Sequence, residues 1–251
     1  MQTVVVTGAA SLRGIGRGVA TRLAQHGWGL GLLDVDEKKL TGLARSLRAT
    51  YGVPVVALAA DVTDVDSIDA AARAIEESSE LPPVAGLVNC VGISDPTPLR
   101  QTTFAQWQRV QTVNTTGVFV VSMRFCEGMI ERGYGRIVSL SSTAAATGGG
   151  NYSAGAYAAS KAAIEGFTHG LALELAPLGV TVNAVSPASI DTDIMGGEIT
   201  PERTPAFIAQ LPVGRLGKVD EVAALIEFLL GPDAGYITGA TYNINGGARI
   251  G

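Results

Sequence analysis

A tyrosine and a lysine lie four residues apart, at Tyr157 and Lys161. On a helix this spacing puts the phenol and the ammonium group on one face, one turn apart. A free tyrosine titrates at about pH 10, and a fixed cation beside it lowers its pKa, which makes it a usable acid or base near neutral pH. Such pairs also arise by chance, so the pair alone does not establish a catalytic site.

Two serines, Ser141 and Ser142, follow an apolar run that we predict to be a strand. Side chains at the carboxyl end of a parallel strand face the crevice in which such sheets bind ligands. A hydroxyl there is placed to hydrogen-bond to a substrate oxygen, although an ordinary turn serine fits the position as well.

A glycine-rich turn follows the first apolar run. Gly8, Gly14 and Gly16 let a backbone approach a pyrophosphate, and the next helix offers free N–H groups and its positive dipole end. The strict G-x-G-x-x-G fingerprint is absent, because Val19 stands where the third glycine belongs. The turn by itself is therefore a weak signal for a nucleotide.

Acidic residues end the next two apolar runs and strengthen that signal. Asp34 is placed to accept both hydrogen bonds of an adenosine ribose diol and to repel a 2′-phosphate. A helix N-cap is the alternative role, which Asp36 fits better. Asp61 and Val62 follow the third run, where a carboxylate and a backbone N–H fit an adenine.

The elements that position these residues alternate between short apolar runs and longer helical stretches. This pattern predicts one doubly wound, Rossmann-type α/β domain over residues 1–251, with a parallel sheet of about seven strands and helices on both faces. The predicted strands are Thr3–Val6, Leu30–Leu33, Val55–Ala59, Ala85–Val88, Arg136–Leu140, Thr181–Val185 and Thr241–Ile244. The predicted helices are Gly18–His26, Asp36–Tyr51, Ser67–Glu77, Phe104–Arg132 with an interruption near Gly117, Tyr157–Ala176 and Val219–Leu230.

The composition excludes several classes of protein. With 47% hydrophobic residues, 16% charged residues and a net charge of −5, the chain is too apolar for disorder. Its 32 glycines lack the three-residue period of collagen, and no basic run indicates a nucleic-acid surface. Cys90 and Cys126 lack metal-ligand spacing, so we expect buried thiols and no metal. We find no signal-peptide pattern or membrane-length apolar run, and we expect a cytoplasmic protein without a membrane partner.

Taken in order, these motifs resemble those of the short-chain dehydrogenase/reductases, in the branch whose chains match this one in length. The resemblance covers essentially the whole chain and adds several segments to those already described. They are Asn89-Cys90-Val91-Gly92, Asn114, Ser186-Pro187, Ile190-Asp191-Thr192, Gly214-Arg215-Leu216-Gly217, Tyr236-Ile237-Thr238-Gly239 and Asn245-Gly246-Gly247.

The resemblance implies an oxidoreductase that passes a hydride between a nicotinamide and a carbinol carbon. In this scheme Tyr157 exchanges the proton with the substrate oxygen, and Ser142 holds that oxygen. Lys161 binds the nicotinamide ribose and depresses the pKa of Tyr157, while Asn114 positions a water that links Lys161 to solvent. Ser142 is chosen over Ser141 because the family's catalytic serine is the second of such a pair.

Two further sets of residues follow from the resemblance. The cofactor-binding set is Gly8, Arg13, Gly14, Ile15, Gly16, Asp34, Asp61, Val62, Asn89, Val91, Gly92, Tyr157, Lys161, Pro187, Ile190 and Thr192. The substrate-pocket candidates are Ser94, Ser142, Thr143, Asn151, Tyr152, Ser189 and Met195. This mixture of polar and apolar groups suits a small polyol, a hydroxy acid, a sugar-derived ketone or a cyclic or aryl ketone.

The chain departs from the family pattern in two loops. The turn between Gly8 and Gly14 is longer than usual, which leaves the contacts of residues 11–13 open. The segment from Ser142 to Tyr157 is also longer, so we expect its loop at 148–152 to shape an individual pocket. Residues 186–212 are expected to form either a substrate flap or an ordinary surface loop.

The expected cofactor is NAD rather than NADP. Asp34 resembles NAD-specific members, whereas Arg13 stands where NADP-specific members often carry a basic residue. Arg13 has two alternatives, which are to pair with Asp34 or to lie over the adenine.

Assembly is predicted from a stripe of small residues, Ala158, Ala162, Gly166 and Gly170, on one helix. Such a stripe admits a neighbouring helix, either within the subunit or from a partner. The resemblance implies a homotetramer that pairs this helix and the Phe104–Arg132 helix across interfaces.

Three functions are compared. The first is an NAD-dependent dehydrogenase of a secondary alcohol or its ketone. The second is a 3-oxoacyl-thioester reductase of the acyl-carrier-protein type, whose relatives usually use NADPH and a basic docking patch. Asp34 and the acidic balance argue against it. The third is a catalytically inactive, cofactor-binding regulator, which normally loses the tyrosine or lysine that this chain retains.

Overall fold

A parallel sheet forms the centre of the fold. The structure, a computed structural model, describes residues 2–150, 153–195, 197 and 199–250, with Met195 described in its backbone alone. The strands are β1 (Thr3–Thr7), β2 (Gly29–Asp34), β3 (Val55–Ala59), β4 (Val84–Asn89), β5 (Gly135–Leu140), β6 (Val180–Pro187) and β7 (Thr241–Ile244). They form a 7-stranded sheet in the order β3-β2-β1-β4-β5-β6-β7, with every neighbouring pair parallel. The predicted doubly wound architecture is confirmed.

The connections between strands are helical. The helices are α1 (Ile15–Gln25), α2 (Glu37–Tyr51), α3 (Val65–Glu76), α4 (Phe104–Gln111), α5 (Gly117–Glu131), α6 (Ala144–Thr147), α7 (Gly155–Leu175), α8 (Thr204–Ile208) and α9 (Val219–Leu230). Single helical turns occur at Leu99–Gln101, Ala176–Leu178, Asp193–Met195 and Pro232–Ala234. Among the residues described, no helix combines the length and apolar character that crossing a membrane requires.

Alternate side chains of the strands enter two apolar layers. In β1, Val4 and Val6 pack with residues of α1, α2 and α9, whereas Val5 packs with residues of α3, α5 and α7. All three valines are fully buried. Because helices cover both faces, the strands read as continuous apolar runs, which is the pattern that predicted them.

The long helix predicted over Phe104–Arg132 is divided by a π-helical turn at Thr112–Thr116. The turn ends at Gly117, where a Cβ atom would lie only 2.6 Å from Cγ2 of Val62. This close approach requires glycine at the start of α5. π-Turns are frequent at functional sites, and this one carries Asn114.

The segment predicted as a flap contains regular pieces. Ser186 and Pro187 end β6, the turn Asp193–Met195 follows, and α8 lies further on. Neither α6 nor α8 was predicted, because each spans barely more than one turn and leaves too few residues for a helical period to be detected.

Candidate functional site

A cleft of about 1180 Å³ is lined by residues that follow strands β1 to β6 at their carboxyl ends. Crevices at this edge are where open α/β sheets bind ligands, and the volume exceeds that of an ordinary small-molecule pocket. Most of the predicted cofactor-binding residues line it. They are Gly8, Gly14, Ile15, Gly16, Asp34, Asp61, Val62, Val91, Gly92, Tyr157, Lys161, Pro187, Ile190 and Thr192.

Asp34 is fixed at the end of β2 by two backbone groups. Its Oδ2 accepts a hydrogen bond from the Ala10 N–H at 2.9 Å, and its Oδ1 accepts one from the Asp36 N–H at 3.1 Å. Asp36 caps α2 by accepting from the Lys39 N–H at 3.0 Å. The N-cap role therefore falls to Asp36, and the Asp34 carboxylate remains beside the cleft.

The glycine-rich turn is packed too closely for side chains at two positions. A Cβ on Gly16 would lie 2.4 Å from the carbonyl oxygen of Gly8, and Gly8 itself has a φ of +67°. Helix α1 begins at Ile15, and among the described residues no side chain caps it. Its first N–H groups are available to a pyrophosphate, so these residues fit a dinucleotide cofactor.

Tyr157 and Lys161 lie one turn apart on α7, and both are buried. The Ser142 side chain lies close enough to the Tyr157 hydroxyl to lower its pKa. The Lys161 ammonium group donates to the carbonyl oxygen of Leu140 at 2.7 Å and lies 5.6 Å from the centre of the Tyr157 ring. The end of β5 therefore fixes the lysine and supplies the serine that faces the phenol.

Burial controls the titration of this pair. It raises the pKa of Tyr157 to about 12, partly offset by the hydrogen bond to Ser142. It lowers the pKa of Lys161 to about 8, partly offset by Cys90. The sequence predicted a lowered tyrosine pKa, whereas here desolvation of the phenolate outweighs the opposing effect of Ser142 and raises the pKa. Tyr157 is therefore a protonated donor at neutral pH.

Ser141 and Ser142 have different surroundings. The Ser141 hydroxyl lies 2.7 Å from Oε1 of Glu165 and 3.2 Å from the carbonyl oxygen of Lys161, and it is buried. Ser142 is only half-buried, and its Oγ accepts from the Ala144 N–H at 3.2 Å. Ser142 is thus the serine placed to face a substrate.

Asn114 lies fully buried in the π-turn. Its Oδ1 accepts from the Ile93 N–H at 2.8 Å, and its Nδ2 donates to the Ile93 carbonyl and to Ser160. A Cβ on Gly92 would lie 3.4 Å from Nζ of Lys161 and 3.5 Å from Oδ1 of Asn114. Asn114 therefore anchors the loop after β4 close to Lys161, and its proposed water relay stays a prediction.

Two predicted cofactor residues are held away from the cleft. The Arg13 guanidinium forms an ion pair with Asp191, which was neither of its two predicted alternatives. Asn89 is buried, and its Nδ2 donates to Ser122 and Ser139. Both side chains are committed to protein partners, so any cofactor contact by them remains a prediction.

The other end of the cleft carries the substrate-pocket candidates. Ser94, Ser142, Thr143 and Ser189 line it. Asn151, Tyr152 and the side chain of Met195 lie outside the described residues. The Thr143 hydroxyl donates to the Pro187 carbonyl at 3.0 Å and so joins the ends of β5 and β6.

Sequence reasoning missed further lining residues, among them Arg109, Val113, Thr147, Phe207, Gln210 and Leu211. Arg109 and Val113 are four residues apart, a spacing typical of one helix face, but nothing in the sequence says which face meets the cleft. Phe207 and Gln210 come from around α8, which was not predicted. Within the described part of the chain, no group of three or more histidine, cysteine or acidic side chains is placed to bind a metal.

The sheet, its carboxyl-end cleft and the buried Tyr-Lys pair define the class of Rossmann-fold oxidoreductases. A family model described as enoyl-(acyl carrier protein) reductase matches residues 8–249. The chain belongs to the short-chain dehydrogenase/reductase family, as its motifs predicted.

Individual relatives have different activities. The chain is 36% identical to an acetoacetyl-CoA reductase of Allochromatium vinosum, over 97% of this chain and 96% of that protein. It is 37% identical to a galactitol 2-dehydrogenase (L-tagatose-forming) of Cereibacter sphaeroides, over 98% and 94%. A solved 3-oxoacyl-(acyl-carrier protein) reductase with bound NAD from Brucella melitensis superimposes with a TM-score of 0.89 and 32% identity, over 100% of this chain and 92% of that one.

Proposed function

We propose that the chain is an NAD-dependent enzyme that interconverts a secondary alcohol and its ketone, with Tyr157 as the acid/base. The observation that carries the proposal is the grouping of Tyr157, Ser142 and Lys161 in the same cleft as Asp34, with the Lys161 ammonium group 5.6 Å from the centre of the Tyr157 ring. An acid/base, an oxygen-holding hydroxyl and a nucleotide-binding turn together support hydride-transfer chemistry. The expected substrates are a small polyol, a hydroxy acid, or a sugar-derived, cyclic or aryl ketone.

The residues divide the reaction between them. When bound, the nicotinamide cofactor supplies the hydride for reduction and accepts it in oxidation. The Tyr157 hydroxyl donates its proton to the substrate oxygen in reduction and takes it back in oxidation. Ser142 hydrogen-bonds to that oxygen and stabilises the charge that develops on it. The Lys161 ammonium group stabilises a Tyr157 phenolate after the proton has left.

The preference for NAD rests on the carboxylate of Asp34. Two backbone N–H groups hold it at the end of β2, where it suits the ribose hydroxyls and repels a 2′-phosphate. Arg13 is the only cationic residue between β1 and Gly14, and its guanidinium pairs with Asp191. Higher kcat/KM with NADPH than with NADH contradicts this part of the proposal.

A second candidate is a 3-oxoacyl-thioester reductase. It is supported by the family description and by the names of the acetoacetyl-CoA reductase and the acyl-carrier-protein reductase among the relatives. The substrate end of the cleft also offers apolar side chains, Phe207 and Leu211, and an exposed cation, Arg109. These suit an acyl chain and an anionic carrier.

One panel separates these candidates. Purified protein is assayed by NADH and NADPH absorbance with acetoacetyl-CoA, galactitol, a small hydroxy acid and an aryl ketone. Fastest turnover of galactitol, the hydroxy acid or the aryl ketone supports the first candidate, whereas acetoacetyl-CoA with NADPH supports the second. Cofactor binding without turnover of any of these supports the inactive regulator.

We also propose a homotetramer, acting in the cytoplasm. Gly166 and Gly170 face open space on α7, and Leu173 nearby is 81% exposed. On the adjoining helices Phe104 and Phe119 are exposed as well. Large exposed apolar groups beside a smooth helix surface suit an interface between subunits. Light scattering at micromolar concentration tests this, and a monomer contradicts it.

A further inference from the structure

Two stretches of chain that are distant in sequence meet at the cleft. The Ser11 hydroxyl donates to Oδ2 of Asp193 at 2.7 Å, and the Arg13 N–H donates to the same oxygen at 3.3 Å. The Arg13 guanidinium pairs with Asp191. We call these four residues, Ser11, Arg13, Asp191 and Asp193, the latch.

The sheet order shows that the latch joins two segments that follow strands far apart in the sheet. Ser11 and Arg13 follow β1, Asp191 and Asp193 follow β6, and two strands, β4 and β5, lie between β1 and β6. At about 4.8 Å per neighbouring strand, the ends of β1 and β6 are roughly 14 Å apart. The segment after β6 therefore crosses the carboxyl ends of β4 and β5, where the cleft lies, to reach the turn.

The extra length of the turn between Gly8 and Gly14 allows it to reach the segment after β6. Ser11 and Arg13 belong to the stretch between Gly8 and Gly14 that exceeds the common length, and Ser11 and Asp193 both line the cleft. A Cβ on Gly14 would lie 2.9 Å from the Cβ of Ser11, so glycine there allows the turn to fold back toward α1.

The latch contacts are of the kind that opens readily. The Arg13 and Asp191 side chains are 29% and 44% exposed, and Asp193 is exposed. Ion pairs with this much solvent access contribute little to stability, and contacts between exposed groups can open locally. Such contacts suit a part that moves during function rather than a structural tie.

We propose that the latch is a gate for cofactor exchange, in which Asp191 and Asp193 act as positioning residues that hold the segment after β6 against the nucleotide-binding turn. The inference rests on the proposed cofactor site. The cofactor enters and leaves when the latch opens. Because the latch is closed in the structure, entry requires its opening as much as exit does.

Stopped-flow fluorescence with NADH and with NADPH tests the gate. Association and dissociation rates are measured for the wild type, for Asp191→Asn and for Ser11→Ala. Each variant is expected to raise both rates by about three- to tenfold, the effect of one exposed ion pair or hydrogen bond, and to leave Kd within about twofold. Asp191→Glu, which keeps the charge, is expected to retain slow exchange.

Asp220→Asn is the matched control. Asp220 forms an ion pair with Arg22, with an N–O distance of 3.0 Å, and neither residue lines the cleft. This variant is expected to leave both rates unchanged. Faster dissociation without faster association overturns the gate, since a site that merely binds the cofactor more weakly gives that result. Unchanged rates in the latch variants overturn it as well. Failure of the wild type to bind either NADH or NADPH overturns the cofactor proposal as well.

Discussion

The two ends of the cleft are held by different parts of the fold. At the nucleotide end, Gly8, Gly16 and Asp34 are fixed by backbone atoms of the turn and of the neighbouring strands. At the substrate end, Arg109 and Gln210 are exposed side chains from the separate elements around α4 and α8. The nucleotide end is thus set by backbone geometry, and the substrate end by side chains that tertiary packing brings together.

Between the two ends lies the catalytic pair, on a helix of its own. Tyr157 and Lys161 project from α7 to the end of β5, where Ser142 and the Leu140 carbonyl meet them. If this division is right, substitutions at the catalytic pair lower kcat, and substitutions at the nucleotide end alter the cofactor preference. Substitutions at the substrate end alter only the KM for the substrate.

Among the residues around the catalytic pair, Ser142 is expected to have a large effect on turnover. Ser142→Ala removes the hydroxyl that faces both Tyr157 and the substrate oxygen, and kcat is expected to fall about a hundredfold or more. Ser141→Ala is the matched control, because the buried Ser141 hydroxyl bonds to Glu165 and to the backbone carbonyl of Lys161 rather than to Tyr157. Equal losses in steady-state kcat for the two variants contradict the assignment.

At the nucleotide end, Asp34→Ala is expected to lower the NADH-to-NADPH ratio of kcat/KM by about tenfold or more, since hydrogen bonds to a charged group are lost along with the repulsion of a 2′-phosphate. Asp36→Ala is the control. It removes the cap of α2 and lowers thermal stability, yet it leaves the ratio unchanged. If the NADH-to-NADPH ratio of kcat/KM changes in both variants, or in neither, the role of Asp34 at the nucleotide end is contradicted.

The pH dependence of reduction reports on the buried pair. Since Tyr157 has a pKa of about 12, it stays protonated, while Lys161 loses its proton as the pH rises through about 8. We expect kcat/KM for ketone reduction to be level below pH 8 and to fall above it, by about tenfold per unit if the charge is essential. A profile that stays level to pH 10 contradicts a role for the lysine charge.

The smallest effect is expected at the substrate end. Gln210→Ala removes a cleft-lining side chain and is expected to change substrate KM about threefold, the effect of one exposed hydrogen bond, while the Kd for NADH stays the same. Gln108→Ala, an exposed glutamine of α4 that does not line the cleft, is the control. A larger change in cofactor Kd than in KM contradicts the separation of the two ends.

This contrast explains how much of the molecule could be predicted. Glycines at positive φ, a carboxylate at a strand end and continuous apolar strands are residue types that backbone geometry demands, and they can be recognised in one sequence. The pairing of Arg13 with Asp191 could not be predicted, because it depends on a segment crossing two strands. The direction of the Tyr157 pKa was also missed, since burial depends on the folded surroundings.

The central claim is that the Tyr157 hydroxyl carries the proton transfer of a redox reaction, in a cleft that still binds NADH when this hydroxyl is removed. Its most direct test is Tyr157→Phe, with NADH-linked turnover measured on the substrate that the wild type reduces fastest and NADH binding measured by fluorescence titration. Turnover is expected to fall by about a thousandfold, within the range of general acid catalysis, while the Kd for NADH stays within about twofold. Turnover kept within about tenfold of the wild type, below the usual contribution of such an acid, contradicts the account.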